Sequence, residues 1–524
     1  MTNTSNPSTP TTRFTSTQKW TLLATILASS LVFIDSTALN VALPALQKDL
    51  GISGTQLLWV INGYALFLSA LLLVGGSLGD LYGRNKVFLI GLGLFSISSL
   101  VCGISQTPLQ LIVARSFQGV GGALLTPGSL SILSSQFGPE SRGRAIGLWS
   151  TFSALTAVFG PILGGWLAGM GWWRAIFIIN LPLSFIVFVT MLAKVPESSN
   201  PDADKLDMWG ALWVTLGLAG ITYGLIESPK HGLGNPFILS AFIIGTLALM
   251  AFIRVQHTSI HPMMPLKLFK SSTFSGGNLL TLFVYGALGG ALFFVPLNLI
   301  QIQNYSEIYA GMAMLPMITF IASLSPLMGK YVDKKGVRLP LIIGPLFATA
   351  GFFLFSTYGI TEGPSDYWHT FFISFSLLGI GMGITVAPLT TAVMGAVSPN
   401  SAGIASGINN TVARAAAVLS VALFGALVLF YFNDNIEQNL ADMQFSETIK
   451  DDIRMEASKF AGAEAPASLP EDQRKDVKRL FNDSFILAFN RVAYTASFLT
   501  LLGGLMALIF IKPKSESGDE VFTE

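Results

Sequence analysis

Charge is scarce in this sequence. Asp, Glu, Lys and Arg make up 11% of its 524 residues, less than half the roughly 25% of a soluble domain. The 30 basic and 29 acidic residues leave a net charge of +1, which excludes a broad basic surface for nucleic acid. Cysteine is nearly missing. Cys102 stands alone in an apolar run, which excludes a disulfide framework and a Cys-rich metal site and suits a small buried hydrophobe. The four histidines, at 231, 257, 261 and 369, lie near loops without a His-Glu-x-x-His pair, so no metal enzyme is expected. A phosphate-cradling Gly-Lys-Ser/Thr loop is also missing, which excludes an ATP-driven pump. No cofactor and no enzymatic activity are expected. The Thr- and Ser-rich residues 1–17 lack the apolar stretch of a signal peptide and read as a disordered polar tail.

What is present is apolar length. Hydrophobic residues make up 51% of the chain, with 39 Phe and 52 Gly. A helix needs about 20 apolar residues to cross a bilayer core. Such runs lie near 20–44, 57–79, 86–105, 109–135, 144–170 and 174–194, then 209–227 and 236–255, then 274–300, 309–331, 338–358, 367–396, 403–432 and 484–511. The expected fold is an all-α polytopic membrane protein with 14 transmembrane helices. Polar breaks at 195–208 and 256–273 set off the middle pair. The expected division is a cytoplasmic tail at 1–19, a six-helix bundle at 20–194, a linker with two extra spans at 195–273, a second six-helix bundle at 274–511 and a cytoplasmic tail at 512–524.

Lys and Arg orient the spans. They gather around 84–86, 142–144, 254–270 and 330–338 and near both ends, against Lys48, Arg174 and Lys230 in the opposite short loops. The positive-inside rule then places both termini in the cytoplasm of a multi-pass protein of the cell (inner) membrane. The long polar stretch 433–483 falls outside. Its segments 434–460 and 470–482 look helical, so a small external cap is expected, with solvation as its default role and gating or a partner as the alternative.

The two halves echo each other. Gly119, Gly121, Pro139, Ser141, Gly143, Ala145 and Gly147 return 260 residues later as Gly379, Gly381, Pro399, Ser401, Gly403, Ala405 and Gly407. Gly76, Asp80 and Gly83 return 253 residues later as Gly329, Asp333 and Gly336. Parallel six-helix halves are the construction of the major facilitator fold. Arg115 and Gly160-Pro161 have no such counterpart, since the positions 260 further on are Phe375 and Ser420-Val421. Residues confined to one half are the better candidates for mechanism.

Asp35 lies inside the first run. A carboxylate at membrane depth is costly and functional by default. Desolvation favours a neutral carboxyl group, so Asp35 is a candidate to take up and release a proton; a structural ion pair is the alternative. Arg115 lies in the fourth run. At 1.5 Å per residue, Asp35 sits about 8 Å and Arg115 about 9 Å from the outer face of a 30 Å core. An ion pair between them, broken when Asp35 is protonated, is geometrically possible. Gly160-Pro161-x-x-Gly164-Gly165 interrupts the fifth run and suits a hinge or seal between conformations, or ordinary close packing. In the loop Gly76 to Lys86, Gly83 permits a tight turn. Asp80 can cap the next helix or pair with a basic residue such as Arg84 across an interface.

Together these segments resemble the major facilitator superfamily, and within it the fourteen-helix drug:proton antiporter branch of the EmrB/QacA type. The Asp80 loop is similar to the superfamily loop signature, Arg115 to the proton-coupling arginine motif and Gly160-Pro161-x-x-Gly164-Gly165 to the antiporter motif. The Asp35 segment, Trp173 to Pro182 and Gly224-Leu225-Ile226-Glu227 resemble the fourteen-helix branch. Leu81 and Thr156 depart from it, where a basic residue and a Gly are usual. The resemblance implies a 6+2+6 arrangement of two pseudo-symmetric bundles around a central cavity lined mainly by spans one, four, nine and twelve. It also implies proton-driven export.

Candidate cavity residues are Trp59, Asn62, Tyr64, Gln118, Phe293, Phe294 and Asn298, each alternatively a packing residue. A single membrane acid suits a lipophilic cation, and neutral or zwitterionic cargo also fits. Expected partners are a small lipophilic substrate, protons, membrane lipid and, at 433–483, a periplasmic adaptor. The rival readings are export of an endogenous amphiphile such as a lipid, siderophore or metabolite, and a receptor, scaffold or enzyme without transport.

Overall fold

The computed structural model describes residues 14–200, 206–398 and 401–513. The expected tails fall largely outside these, as does Pro399 of the repeat. The described residues contain helices and no strand, as a lipid environment requires of any chain that is not a closed barrel.

Local chemistry starts and stops the helices. Helix α1 (Ser16–Leu50) opens on a capping box, in which the Gln18 amide donates to Thr15 Oγ1 and the Thr15 amide to Gln18 Oε1. It ends on Gly51, whose φ of 62° turns the chain back. Ser53 and Gln56 build the same box for α2 (Gly54–Tyr82). Gly83, at φ 106°, separates α2 from α3 (Arg84–Ile104). Next come α4 (Pro108–Gln136), with Pro at its first turn, and α5 (Pro139–Gly169), which continues through Pro161. A short α6 (Ala175–Ile178) leads into α7 (Asn180–Lys194). The middle pair is α8 (Met208–His231) and α9 (Pro236–Thr258).

The second half contains α10 (Ser272–Leu297), prolonged by a π-helical turn at Asn298–Ile302, then α11 (Glu307–Ala313) and α12 (Leu315–Lys335). It continues with α13 (Arg338–Phe355), α14 (Phe371–Gly395) and α15 (Ala402–Asp442). It closes with α16 (Glu447–Ala457) and α17 (Glu471–Phe510). Among the described residues, 12 helices are long and apolar enough to cross a membrane, with α6–α7, α10 and its π turn, and α11–α12 each forming one span. Helices α4 and α5, 29 and 31 residues long, stand outside that number. Arg115 and Gln118 interrupt the apolar run of α4, whereas Arg142 and Arg144 lie at the start of α5, ahead of its apolar stretch.

Glycine explains how closely the helices pack. A Cβ on Gly119 would overlap the Tyr64 backbone of α2, and one on Gly121 would overlap α3 at Gly91 and Phe95. Their echoes behave alike. Gly379 meets the Met317 backbone of α12, and Gly381 meets α13 at Gly344 and Ala348. The repeat read in the sequence is therefore a repeat of helix-to-helix contacts, α4 against α2 and α3 and α14 against α12 and α13.

The halves meet along α2 and α15, which run antiparallel with Leu58 beside Gly425 and Leu73 beside Gly407. Helix α8 packs on both, and Leu66, Ala70, Leu218 and Val418 form one cluster there. The face on which α1 begins and α17 ends is called proximal here, the other distal. Contact between the halves is tightest distally. A Cβ on Gly165 would overlap the Glu307 backbone, and one on Gly311 the Pro161 backbone. Proximally, Gly143 and Gly147 of α5, Gly329 of α12 and Gly403 of α15 have open space where a Cβ would stand. The molecule is sealed on its distal side.

The stretch 433–483 is less a loop than two extended helices and a strap. Helix α15 continues ten residues past 432, or about 15 Å, and α17 begins at Glu471. Between them, α16 and the turn around Phe460 lie across the distal seam. Gln47 of α1 donates to the Lys459 carbonyl at 2.6 Å, the Gly54 amide donates to the Ser458 carbonyl at 3.0 Å, and Gln301 Nε2 donates to Gln47 Oε1 at 3.1 Å. Phe460, 2% exposed, sets its ring against Phe294, Phe432 and Phe485. Glu437 and Asp451 lie 2.8 and 2.9 Å from the Arg454 guanidinium and push its pKa further up.

Candidate functional site: a buried ion pair beside a polar cavity

Asp35 and Arg115 come together, as their estimated depths allowed. Arg115 Nη1 donates to Asp35 Oδ2 at 2.5 Å, with the side chains 1% and 0% exposed. The same Nη1 lies 2.8 Å from Gln118 Oε1, and Gln118 Nε2 donates to Asp35 Oδ1 at 2.8 Å. Asn180 Nδ2, at the start of α7, donates to that oxygen at 3.3 Å and to Ser99 Oγ of α3 at 3.0 Å. Ser99 Oγ donates to the Phe177 carbonyl at 2.9 Å. The Arg115 guanidinium lies over the Tyr64 ring, 4.1 Å from its centroid. Charge, hydrogen bonds and an aromatic face thus repay the desolvation of both ions.

Every member of this network belongs to α1–α7. The position 260 residues beyond Arg115 confirms the asymmetry: Phe375 is buried against the Phe355 ring at 5.2 Å. Sequence reasoning missed Ser99 and Asn180 as site residues. Their signal was a polar side chain inside an apolar run, the same signal that marked Gln118.

On one side of Arg115 lies a cavity of about 190 Å³ between α1, α2, α4, α10 and α15. Ser36, Asn40, Asn62, Tyr64, Arg115 and Arg414 supply its polar wall, and Phe293, Val418 and Val421 part of its apolar wall. Of the seven expected lining residues, Asn62, Tyr64 and Phe293 are there. Gln118 is spent in the ion-pair network. Trp59 turns away from the cavity, donating from Nε1 to Glu227 Oε1 of α8 at 2.8 Å. Phe294 packs on Phe460 of the strap. Asn298 is buried in the π-helical turn and accepts from Gln303 at 3.2 Å. Trp59 and Phe294 thus face a neighbouring element, and Asn298 its own turn. The expected contribution of the twelfth span, 367–396, is also corrected: no α14 residue lines this cavity, and α15 supplies the wall instead.

The expected gating residues divide. Gly160 and Gly164 face α1, where a Cβ would overlap Thr37 Oγ1 and the Ala38 backbone, and Gly165 faces α11. Gly165 and Pro161 form the distal contact between the halves, while Gly160 and Gly164 pack α5 on α1 within the first half. The Asp80 loop acts locally. Asp80 pairs with Arg84 four residues on, at 2.8 Å, both partly exposed. The cap of α3 comes from Glu197, whose carboxylate accepts from the Asn85 and Lys86 amides at 2.8 and 2.9 Å. Asp80 therefore does not cap α3, and its ion pair with Arg84 does not cross between the halves. Gly83 leaves room for that Glu197 carboxylate, and Gly76 lies beside Pro127 of α4.

Residues 25–421 match the Major Facilitator Superfamily. The chain belongs to that family, and it is a transporter rather than an enzyme. The multidrug resistance protein Stp of Mycobacterium tuberculosis is 30% identical over 426 residues, 81% of this chain and 78% of its own. The drug efflux pump JefA of the same organism is 31% identical over 81% of this chain and 83% of its own. The tetracenomycin C resistance and export protein of Streptomyces glaucescens is 28% identical over 95% of this chain and 92% of its own. Among solved structures, a bacterial homologue of the human lysosomal transporter Spinster, inward-facing and unoccupied, superposes with a TM-score of 0.68 at 16% identity, covering 96% of this chain and 100% of its own. That likeness concerns the fold alone.

Proposed function

We propose that this chain exports lipophilic small molecules in exchange for protons, by alternating access, with Asp35 as the proton site. The observation that carries the reading is the Asp35–Arg115 pair, fully buried yet sharing its arginine with a cavity. Protonation of Asp35 removes the charge that holds Arg115, so one proton can rearrange the cavity wall. The names of the relatives, drug and antibiotic resistance proteins, support export as the direction.

The same reading counts α4 and α5 as spans and gives fourteen, arranged 6+2+6 as in the EmrB/QacA branch. It sets the chain in the cell (inner) membrane with the proximal face and both termini in the cytoplasm, because Arg84, Lys86, Arg142, Arg144, Lys334 and Lys335 gather on that face. The distal seal then makes this an inward-open arrangement. The strap at 443–470 is the surface offered to any periplasmic adaptor. A cationic cargo, as a lone membrane carboxylate suggested, would have to displace Arg115 from Asp35.

The test is transport in proteoliposomes. An imposed pH gradient should drive tetracenomycin C across membranes that hold the protein, and a protonophore should stop it. Transport indifferent to the gradient, for this compound and for a wider drug panel, would overturn proton coupling. A panel with no transported drug would favour an endogenous amphiphile.

A further inference from the structure

Arg414 is the one charged residue of the cavity wall that the ion-pair network does not explain. It sits about a third of the way along α15, inside the span, and is half-buried. Its guanidinium has no hydrogen-bond or carboxylate partner among the described residues, although an arginine at membrane depth is costly unless paired. The lining residues include two arginines and no acid. Asp35, just beyond Arg115, has both oxygens engaged by Arg115, Gln118 and Asn180. Adding Asp35 to the two arginines leaves one positive charge in excess.

One further polar atom in the same wall is unused. Asn62 Oδ1 is buried, in a residue 0% exposed, and lacks a hydrogen-bond partner among the described residues, while the buried Tyr64 hydroxyl has only the Ser36 side chain beside it. Buried groups of this kind are rare unless something else completes them. The Asn62 amide nitrogen is already spent on the Leu58 carbonyl at 3.1 Å, so its oxygen is left to accept. The cavity thus offers a cation, a hydroxyl and an acceptor beside the apolar surface of Phe293 and Val421.

We propose that this cavity binds the anionic oxygen group of an amphiphilic cargo, a carboxylate or an acidic phenol on an apolar ring body, with Arg414 as its charge partner. Tyr64 donates a second hydrogen bond, and Asn62 Oδ1 receives a hydroxyl or N–H elsewhere on the cargo. The inference rests on the reading of this cavity as the cargo site and names the class of cargo it takes.

The test compares three bicyclic probes of one shape: 2-naphthoate, its methyl ester and 2-naphthylmethylammonium. Binding to the purified full chain is measured by fluorescence. The carboxylate should bind at least about tenfold more tightly than the ammonium, the ratio that one charge-assisted hydrogen bond supplies. R414Q should erase that preference while leaving the ester unchanged, and R414K should restore part of it. Equal binding of carboxylate and ammonium by the unaltered chain, binding of none of the three, or a preference that survives R414Q would each overturn the proposal. The unaltered chain alone decides the first two, so a misfolded variant does not shelter the idea. Proton coupling is read separately. If the charge preference stands but no probe moves with a pH gradient, the export reading fails and the cargo class survives. If gradient-driven transport stands but favours the ammonium, only the cargo class falls.

Discussion

Arg115 Nη1 is shared between Asp35 Oδ2 at 2.5 Å and Gln118 Oε1 at 2.8 Å, while the guanidinium covers the Tyr64 ring. One planar cation therefore serves the proton site and the cavity wall at once. Lysine has the charge but neither the fork nor the flat face. Arg115→Lys is expected to lower gradient-driven transport by about tenfold or more, the cost of one lost charge-assisted contact. Protein abundance in the membrane should stay unchanged. Initial transport rates in proteoliposomes, normalised to reconstituted protein, check this.

Gly165 and Gly311 let α5 and α11 touch backbone to backbone at the distal seal. A side chain there pushes the halves apart. Gly165→Val is expected to shift the molecule toward a distally open state and to slow transport. The measurement is labelling of a cysteine placed at Gln301 in a Cys102→Ser background. Labelling from the distal side should rise in the valine variant. Unchanged labelling would mean that another contact holds the seal.

The strap at Phe460 joins α1 and α2 to α10 through Gln47, Gly54 and Phe294. Phe460→Ala leaves a cavity, a change that costs about 3–5 kcal/mol in a packed core. If the strap latches the distal closure, this variant should label at Gln301 as Gly165→Val does. Its melting temperature should also fall. A lowered melting temperature without added labelling would make the strap a brace and not a latch.

Much of this could be read in advance, for a physical reason. A membrane admits few charges, so each one in an apolar run is conspicuous: Asp35 and Arg115 stood out, and helical rise alone put them at one depth. The glycine echoes were legible because backbone contact tolerates nothing larger. Directions around a helix were not legible. Trp59, Asn62 and Tyr64 lie within two turns of α2, yet Trp59 faces α8 and the other two face the cavity. Apolar residues surround the whole helix, so no hydrophobic stripe tells core from lipid. Arg414 was in plain view in the thirteenth run, but its meaning lay in having no partner, which only the fold could tell.

The most direct measurement of the central reading is proton release by the purified protein in a weakly buffered solution when tetracenomycin C, or another compound shown to be transported, is added. The unaltered chain is expected to release protons on binding, and Asp35→Asn to release none while still folding and reaching the membrane in normal amounts. Equal proton release, or undiminished gradient-driven efflux, from Asp35→Asn would contradict the assignment of Asp35 as the proton site.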